Sequence, residues 1–228
     1  MEREGVIKFE LEHSDDPKVM ERHRECAAAI ISWRDILVRL SLVGQSAERY
    51  GGLGFGNVSA RVAPFAGGRG QRAFLITGTQ TGGHVCMSSQ EVTLVSQTRA
   101  REGWVKSQGP VKPSSESTTH AAVYDLSPAI RWVFHVHSPL LWAWSEKHSA
   151  SFPRSAADAS YGSPQMADEI DRLWRETTFP ESRIMAMGGH EDGVIAFGRS
   201  PMEAAQPVLT ALSVANIARC LNTGALCL

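Results

Sequence analysis

Residues 131–144 read RWVFHVHSPLLWAW and place two histidines, His135 and His137, one residue apart in an otherwise apolar run. Successive residues of a strand point to opposite faces, so a pair at i and i+2 projects from one face and can chelate one cation. Two imidazoles in such a strand are costly unless backbone groups or a metal satisfy them. Two core histidines bonded to backbone are the plain alternative. A metal site needs more donors, and three are at hand. Glu116, in PSSES, belongs to the start of the helix that feeds this strand, where alone it would merely complement the helix dipole. His190, in GGHEDG, occupies a glycine-flanked loop between two short strands. His120, four residues after Glu116 and on the same helical face, competes as the third imidazole. Glu191 and Asp192 adjoin His190 and read as turn residues or supports rather than ligands. Three neutral imidazoles leave a coordination position open, as catalytic zinc sites do.

Three further stretches offer backbone N–H groups or hydroxyls to an anion. They are Gly56 with Asn57, the GTQTGG turn around Gly78 and Thr79, and Ser114 with Ser115 at a helix start. Each is also what an ordinary turn looks like. Lys112, nearby in the chain, reads as a solvated loop cation.

The elements that must carry these residues follow from periodicity and punctuation. A short strand is expected over residues 6–11, and one or two helices over residues 17–44. Strands at residues 57–61 (NVSAR) and 73–77 (AFLIT) make a hairpin across a Pro/Gly/Arg loop. Ser114 or Ser115 caps a helix reaching about residue 126, followed by a strand over residues 132–137 and a helix opened by Pro139. Residues 163–174 form an amphipathic helix with a Ser cap and Pro at its first position. Short strands at residues 184–187 and 193–197 flank GGHED, and a last helix spans residues 201–221. Helices alternate with strands but hairpins also occur, so the sheet should be mixed or largely antiparallel with helices on its faces.

The 228 residues, 43% hydrophobic and 21% charged, suit one domain over residues 1–228, with residues 1–20 as an N-terminal extension. A net charge of -1 gives no global field to gather nucleic acid or an anionic membrane. The apolar runs are too short to span a bilayer, and the charged N-terminus lacks the apolar core of a signal peptide. A cytoplasmic location is the expectation. Cys26, Cys86, Cys220 and Cys227 show no CxxC spacing, so neither a thiolate zinc site nor a disulfide framework is indicated.

Five stretches taken in order, GNVSAR (56–61), LITGTQTGG (75–83), PSSES (113–117), HVH (135–137) and GHEDGVIAFG (189–198), resemble the class II aldolase/adducin family. That resemblance implies a three-layer α/β/α fold around a central, mainly antiparallel mixed sheet, and a homotetramer with active sites between subunits. It implies His135, His137 and His190 as metal ligands and Glu116 as acid/base. Gly56, Asn57, Gly78, Thr79, Ser114 and Ser115 then match positions that hold a substrate phosphate. The cofactor implied is Zn²⁺, with Mn²⁺, Co²⁺ and Fe²⁺ as alternatives. TGTQTGG stands where the family usually has T-P-T-G. SYGSPQMADEI (160–170) is unlike the sugar-phosphate aldolases and makes Tyr161 a candidate substrate contact. The activity implied is metal-dependent retro-aldol cleavage of a small, phosphorylated ketose or sugar acid. Decarboxylation, 4-epimerisation or dehydration would use the same residues. A non-catalytic adducin-like module and an iron oxygenase are rivals from other classes.

Overall fold

In the computed structural model, which describes residues 5–223, the strands are β1 (Glu10–Ser14), β2 (Gly44–Gln45), β3 (Gly54–Phe55), β4 (Asn57–Arg61) and β5 (Phe74–Thr77). They continue with β6 (Val92–Arg99), β7 (Trp104–Gln108), β8 (Trp132–His137), β9 (Ile184–Ala186) and β10 (Gly193–Gly198). The helices are α1 (Arg24–Arg39), α2 (Ser117–Leu126), α3 (Pro139–Lys147), α4 (Pro164–Glu176), α5 (Phe179–Ser182) and α6 (Pro201–Thr223). Eight strands form one sheet in the order β1-β7-β6-β5-β4-β8-β10-β9, with β2 and β3 as a separate ribbon. All neighbours in the large sheet are antiparallel except β1 and β7.

Strand alternation assigns each side chain to one of two cores. Val58, Phe134, Val136, Val194 and Ala196 face α1, α3 and α6, where Ile30, Leu37, Leu141 and Val208 complete one cluster. Val133, Ile195 and Phe197 face α2, α4 and α5, where Val123, Ile170, Leu173 and Phe179 complete the other. The result is a helix layer on each face of a mixed, mainly antiparallel sheet. His135 and His137 share the parity of Val133, so they project on the α2 side.

Several local expectations shift. The N-terminal strand is Glu10–Ser14 rather than residues 6–11, because Glu10 to Ser14 pair with Trp104 to Gln108. Residues 17–44 divide into a 3-10 turn, Pro17–His23, and α1. The β6–β7 hairpin was not anticipated: β6 breaks alternation at a bulge between Val95 and Gln97, and β7 reads WVKSQ, half polar. Helix α2 starts at Ser117, so Glu116 stands at the capping position, one step before the first turn. Ser163 caps α4 by accepting from Met166 N, with Pro164 next. Cys227 lies outside the described residues. Among the described residues no helix is long and apolar enough to cross a membrane.

Candidate metal centre

Strand β8 lies between β4 and β10, with His135 opposite Asn57 on one side and Ile195 on the other. His137 is opposite Gly193, and a Cβ on Gly193 would lie 2.6 Å from His190 Cδ2. Only glycine lets the 187–193 turn fold His190 back over the strand. Its backbone closes the turn, with His190 N donating to Met187 O and Gly193 N to His190 O. His190 Nε2 thus reaches 3.3 Å from His135 Nε2, which is 3.0 Å from His137 Nε2. All three rings are buried.

These three histidines form a group able to hold a metal ion. Two nitrogens on one tetrahedral zinc at its usual bond length stand roughly 3.4 Å apart, which the observed spacings approach. A metal also needs neutral imidazoles, and burial supplies them. Desolvation pushes His135 down to about 4. Burial, then the charge of His135, hold His137 and His190 well below their usual value. The donor set therefore fits a divalent cation. Glu116 is buried beside it, Oε1 standing 3.4 Å from His190 Nε2 and 3.8 Å from His135 Nε2. Its place comes from the turn before α2, where Glu116 N donates to Ser114 Oγ and His120 N to Glu116 O.

His120 stands apart from the group. Its Nδ1 lies 2.6 Å from Ser59 Oγ, which is also 2.7 Å from Tyr124 Oη, so it belongs to a polar network under the sheet. Lys112 is exposed, while its carbonyl accepts from Thr79 N and shapes the neighbouring turn.

The anion-binding stretches converge. Gly56, Asn57, Gly78, Thr79, Ser114 and Ser115 line one small cavity together with Glu116 and His135. Gln80, Thr81 and Gly82 of the same GTQTGG turn line it too, as does Gly54, which sequence reasoning did not single out. Gly56 has φ 72, and a Cβ there would meet Val43 Cγ2 at 2.8 Å. Buried Arg34 on α1 anchors the far wall, donating to Thr81 O at 3.3 Å and Gly82 O at 2.7 Å. Asn57 Oδ1 is buried in this region and, among the described residues, accepts no hydrogen bond.

Tyr161 is buried, its ring centroid 4.7 Å from that of His190. Thr118 Oγ1 donates to Gly162 O at 2.9 Å and Gly162 N to Thr119 Oγ1 at 3.0 Å, which ties its turn to α2. Tyr50 was also missed. Its ring centroid sits 4.7 Å from that of His137, and its hydroxyl donates to Asp192 Oδ2 at 2.6 Å. The pair braces both ends of the histidine cluster. The unusual RYGG run was the available signal, since Tyr50 adopts φ 51 beside Gly51 and Gly52.

Residues 46–218 match the Class II Aldolase and Adducin N-terminal domain. The chain belongs to the class II aldolase and adducin family. Among solved structures it is similar to L-fuculose-1-phosphate aldolase from Thermus thermophilus, at 19% identity over 90% of this chain and 100% of that one, with TM-score 0.62. A sugar-phosphate aldolase from Thermotoga maritima is 18% identical over 90% and 99% of the two chains, with TM-score 0.64. An aldolase II superfamily protein from Pseudomonas syringae is 15% identical over 89% and 80%, with TM-score 0.56. No curated protein sequence matches the chain.

Proposed function

We propose that the protein is a metal-dependent lyase that cleaves a carbon–carbon bond of a small phosphorylated ketose or sugar acid by retro-aldol chemistry. The observation that carries this reading is the adjoining of two unlike sites, a buried three-histidine cluster with a carboxylate and a cavity of backbone and hydroxyl donors. His135, His137 and His190 would hold the cation, zinc foremost. A divalent ion there supplies Lewis-acid polarisation of a carbonyl oxygen and offsets the negative charge left by cleavage. Mn²⁺, Co²⁺ or Fe²⁺ would suit the same donors less selectively.

The chain's own groups do the rest. The side chains of Ser114, Ser115 and Asn57, in a cleft whose walls Gly56, Gly78 and Thr79 shape, hold the phosphate and so fix which carbon lies beside Glu116. Glu116 takes the hydroxyl proton from the carbon that becomes the aldehyde, the adjacent carbon–carbon bond breaks, and Glu116 returns the proton to the carbon left behind. Burial of the carboxylate keeps that proton from exchanging freely with water. No lysine Schiff base is needed.

Two structural neighbours, an L-fuculose-1-phosphate aldolase and a sugar-phosphate aldolase, support this substrate class. A homotetramer accompanies the proposal, supported by Met202, Leu209, Val214, Ile217 and Leu221, which leave much of α6's apolar surface exposed. The test is a screen of ketose and aldonate phosphates with zinc-loaded protein, reading aldehyde, dihydroxyacetone phosphate and CO₂ separately. Aldehyde release sustains the aldolase reading, whereas CO₂ alone replaces it with decarboxylation on the same scaffold.

A further inference from the structure

Among the described residues, no lysine or arginine lines the cavity beside Glu116. One cation does stand behind its wall. Helix α1 buries Ala27, Ile30, Arg34 and Leu37 along one face, and Arg34 is the single charged residue of that stripe. A buried guanidinium is costly unless its donors find acceptors. Here they find backbone carbonyls rather than a carboxylate, Nη2 donating to Gly82 O at 2.7 Å and to Thr81 O at 3.3 Å. Both carbonyls belong to the GTQTGG turn, and both residues line the cavity. The turn has no proline to stiffen it, and Gln80 stands there at φ 57. His84 N also donates to Thr81 O, and Thr81 Oγ1 donates to Gly78 O at 2.9 Å.

A trans peptide points its C=O and its N–H in opposite directions. With the Thr81 carbonyl drawn to Arg34, the N–H of the same peptide, on Gly82, faces away from the guanidinium. Among the described residues that N–H donates to no acceptor. A Cβ on Gly54, another residue of the cavity wall, would stand 3.1 Å from Gly82 N, so glycine at 54 leaves this side of the peptide uncovered.

We infer that Arg34 is a positioning residue of the phosphate site: from behind the wall it holds the Thr81–Gly82 peptide so that Gly82 N–H is presented to the substrate phosphate. The inference rests on the phosphate-cavity part of the proposed function and deepens it, adding a backbone donor and a source of positive charge. Two effects act together. A cation on a carbonyl polarises the peptide group and strengthens the donor at its other end. Backbone N–H groups of a turn make an anion-binding concavity when the carbonyls are turned out of it, and Arg34 turns two of them out.

Inorganic phosphate is the probe, titrated into full-length protein as purified, labelled with [15N]glycine and [15N]arginine, as wild type, Arg34→Met and Arg34→Lys. In wild type the Gly82 amide proton is expected to move downfield and saturate, the sign of a new hydrogen bond to an anion. The Kd read from it should weaken by about tenfold or more in Arg34→Met with the fold intact by circular dichroism, the scale of a charge-assisted hydrogen bond. Arg34→Lys recovers most of the affinity, because both bonds come from one nitrogen. Movement of Gly56 and Gly78 without Gly82 overturns the inference and leaves the phosphate cavity standing, and so does an unchanged Kd in folded Arg34→Met. Should Arg34→Met fail to fold, the Arg34 guanidinium protons decide in wild type: they shift with the same Kd as Gly82 when the two are coupled, and their staying unmoved overturns the role of Arg34. No movement of any cavity glycine overturns the phosphate reading and this inference together.

Discussion

Glu116 Oε1 stands 3.4 Å from His190 Nε2, although the two residues come from different ends of the architecture, the cap of α2 and the turn between β9 and β10. The sheet brings them together. β8 carries the histidine pair between the two elements, α2 packs against β8, and Gly193 folds the His190 turn onto it. A carboxylate and three imidazoles in one buried place are then available to a metal and to a proton. The consequences can each be measured.

Glu116→Gln keeps the shape of the side chain and removes its ability to take a proton. Turnover on the cleaved substrate is expected to fall by about 10²–10⁴-fold, the usual contribution of general acid–base catalysis, with zinc content unchanged. Full turnover in this variant with metal bound removes Glu116 from the mechanism.

Gly193→Ala touches no ligand atom. Its new Cβ meets His190 Cδ2 at 2.6 Å and must displace the ring. Zinc affinity, measured by competition with a chromophoric chelator, is expected to weaken by about 10–100-fold, as changes to a ligand's support typically do. Unaltered affinity would mean that the His190 turn is not held where the sheet places it.

Metal-free protein should lose stability as the solution is acidified. Burial depresses His120, His135, His137 and His190 below the ordinary 6.5, His135 to about 4. The unfolded chain therefore binds protons that the native chain refuses. Their stabilising contribution is complete above about pH 6.5 and is lost as pH falls toward the folded values, each histidine adding a slope of up to about 1.4 kcal/mol per pH unit. Urea midpoints recorded from neutral pH to about pH 5 check this, and a flat profile across that window contradicts it.

The exposed apolar stripe of α6 calls for a partner, and the proposed tetramer provides one. Light scattering on the eluting peak should give about four chain masses, and Ile217→Asp, which puts a charge on that stripe at a position 57% exposed, should shift the peak to smaller species. A monomer in the wild-type protein would leave the stripe unexplained by self-association.

How much of this was readable before the structure varies with the physics of each feature. The HxH pair, the hairpin of NVSAR with FLIT and the Ser163–Pro164 helix start were legible, because alternation and capping are local. Spacing alone did not choose between His120 and His190, since that depends on which loop returns to β8, and only the family resemblance pointed to His190; the structure joins His120 to Ser59 and leaves His190 with the pair. β6 and β7 escaped because a bulge breaks the alternation of β6, and β7 is a half-polar strand covered by the edge strand β1. Tyr50 escaped because its contacts, with the His137 ring and with Asp192, are tertiary and far away in the chain.

Whether the histidine cluster holds a metal is decided by elemental analysis of protein purified without chelators, wild type beside His135→Ala, His137→Ala and His190→Ala. About one divalent ion per wild-type chain is expected, zinc foremost, and its loss from each of the three variants while they remain folded. A folded wild-type protein with no stoichiometric metal, unable to take up added zinc, would refute the metal centre and return the molecule to the non-catalytic, adducin-like class.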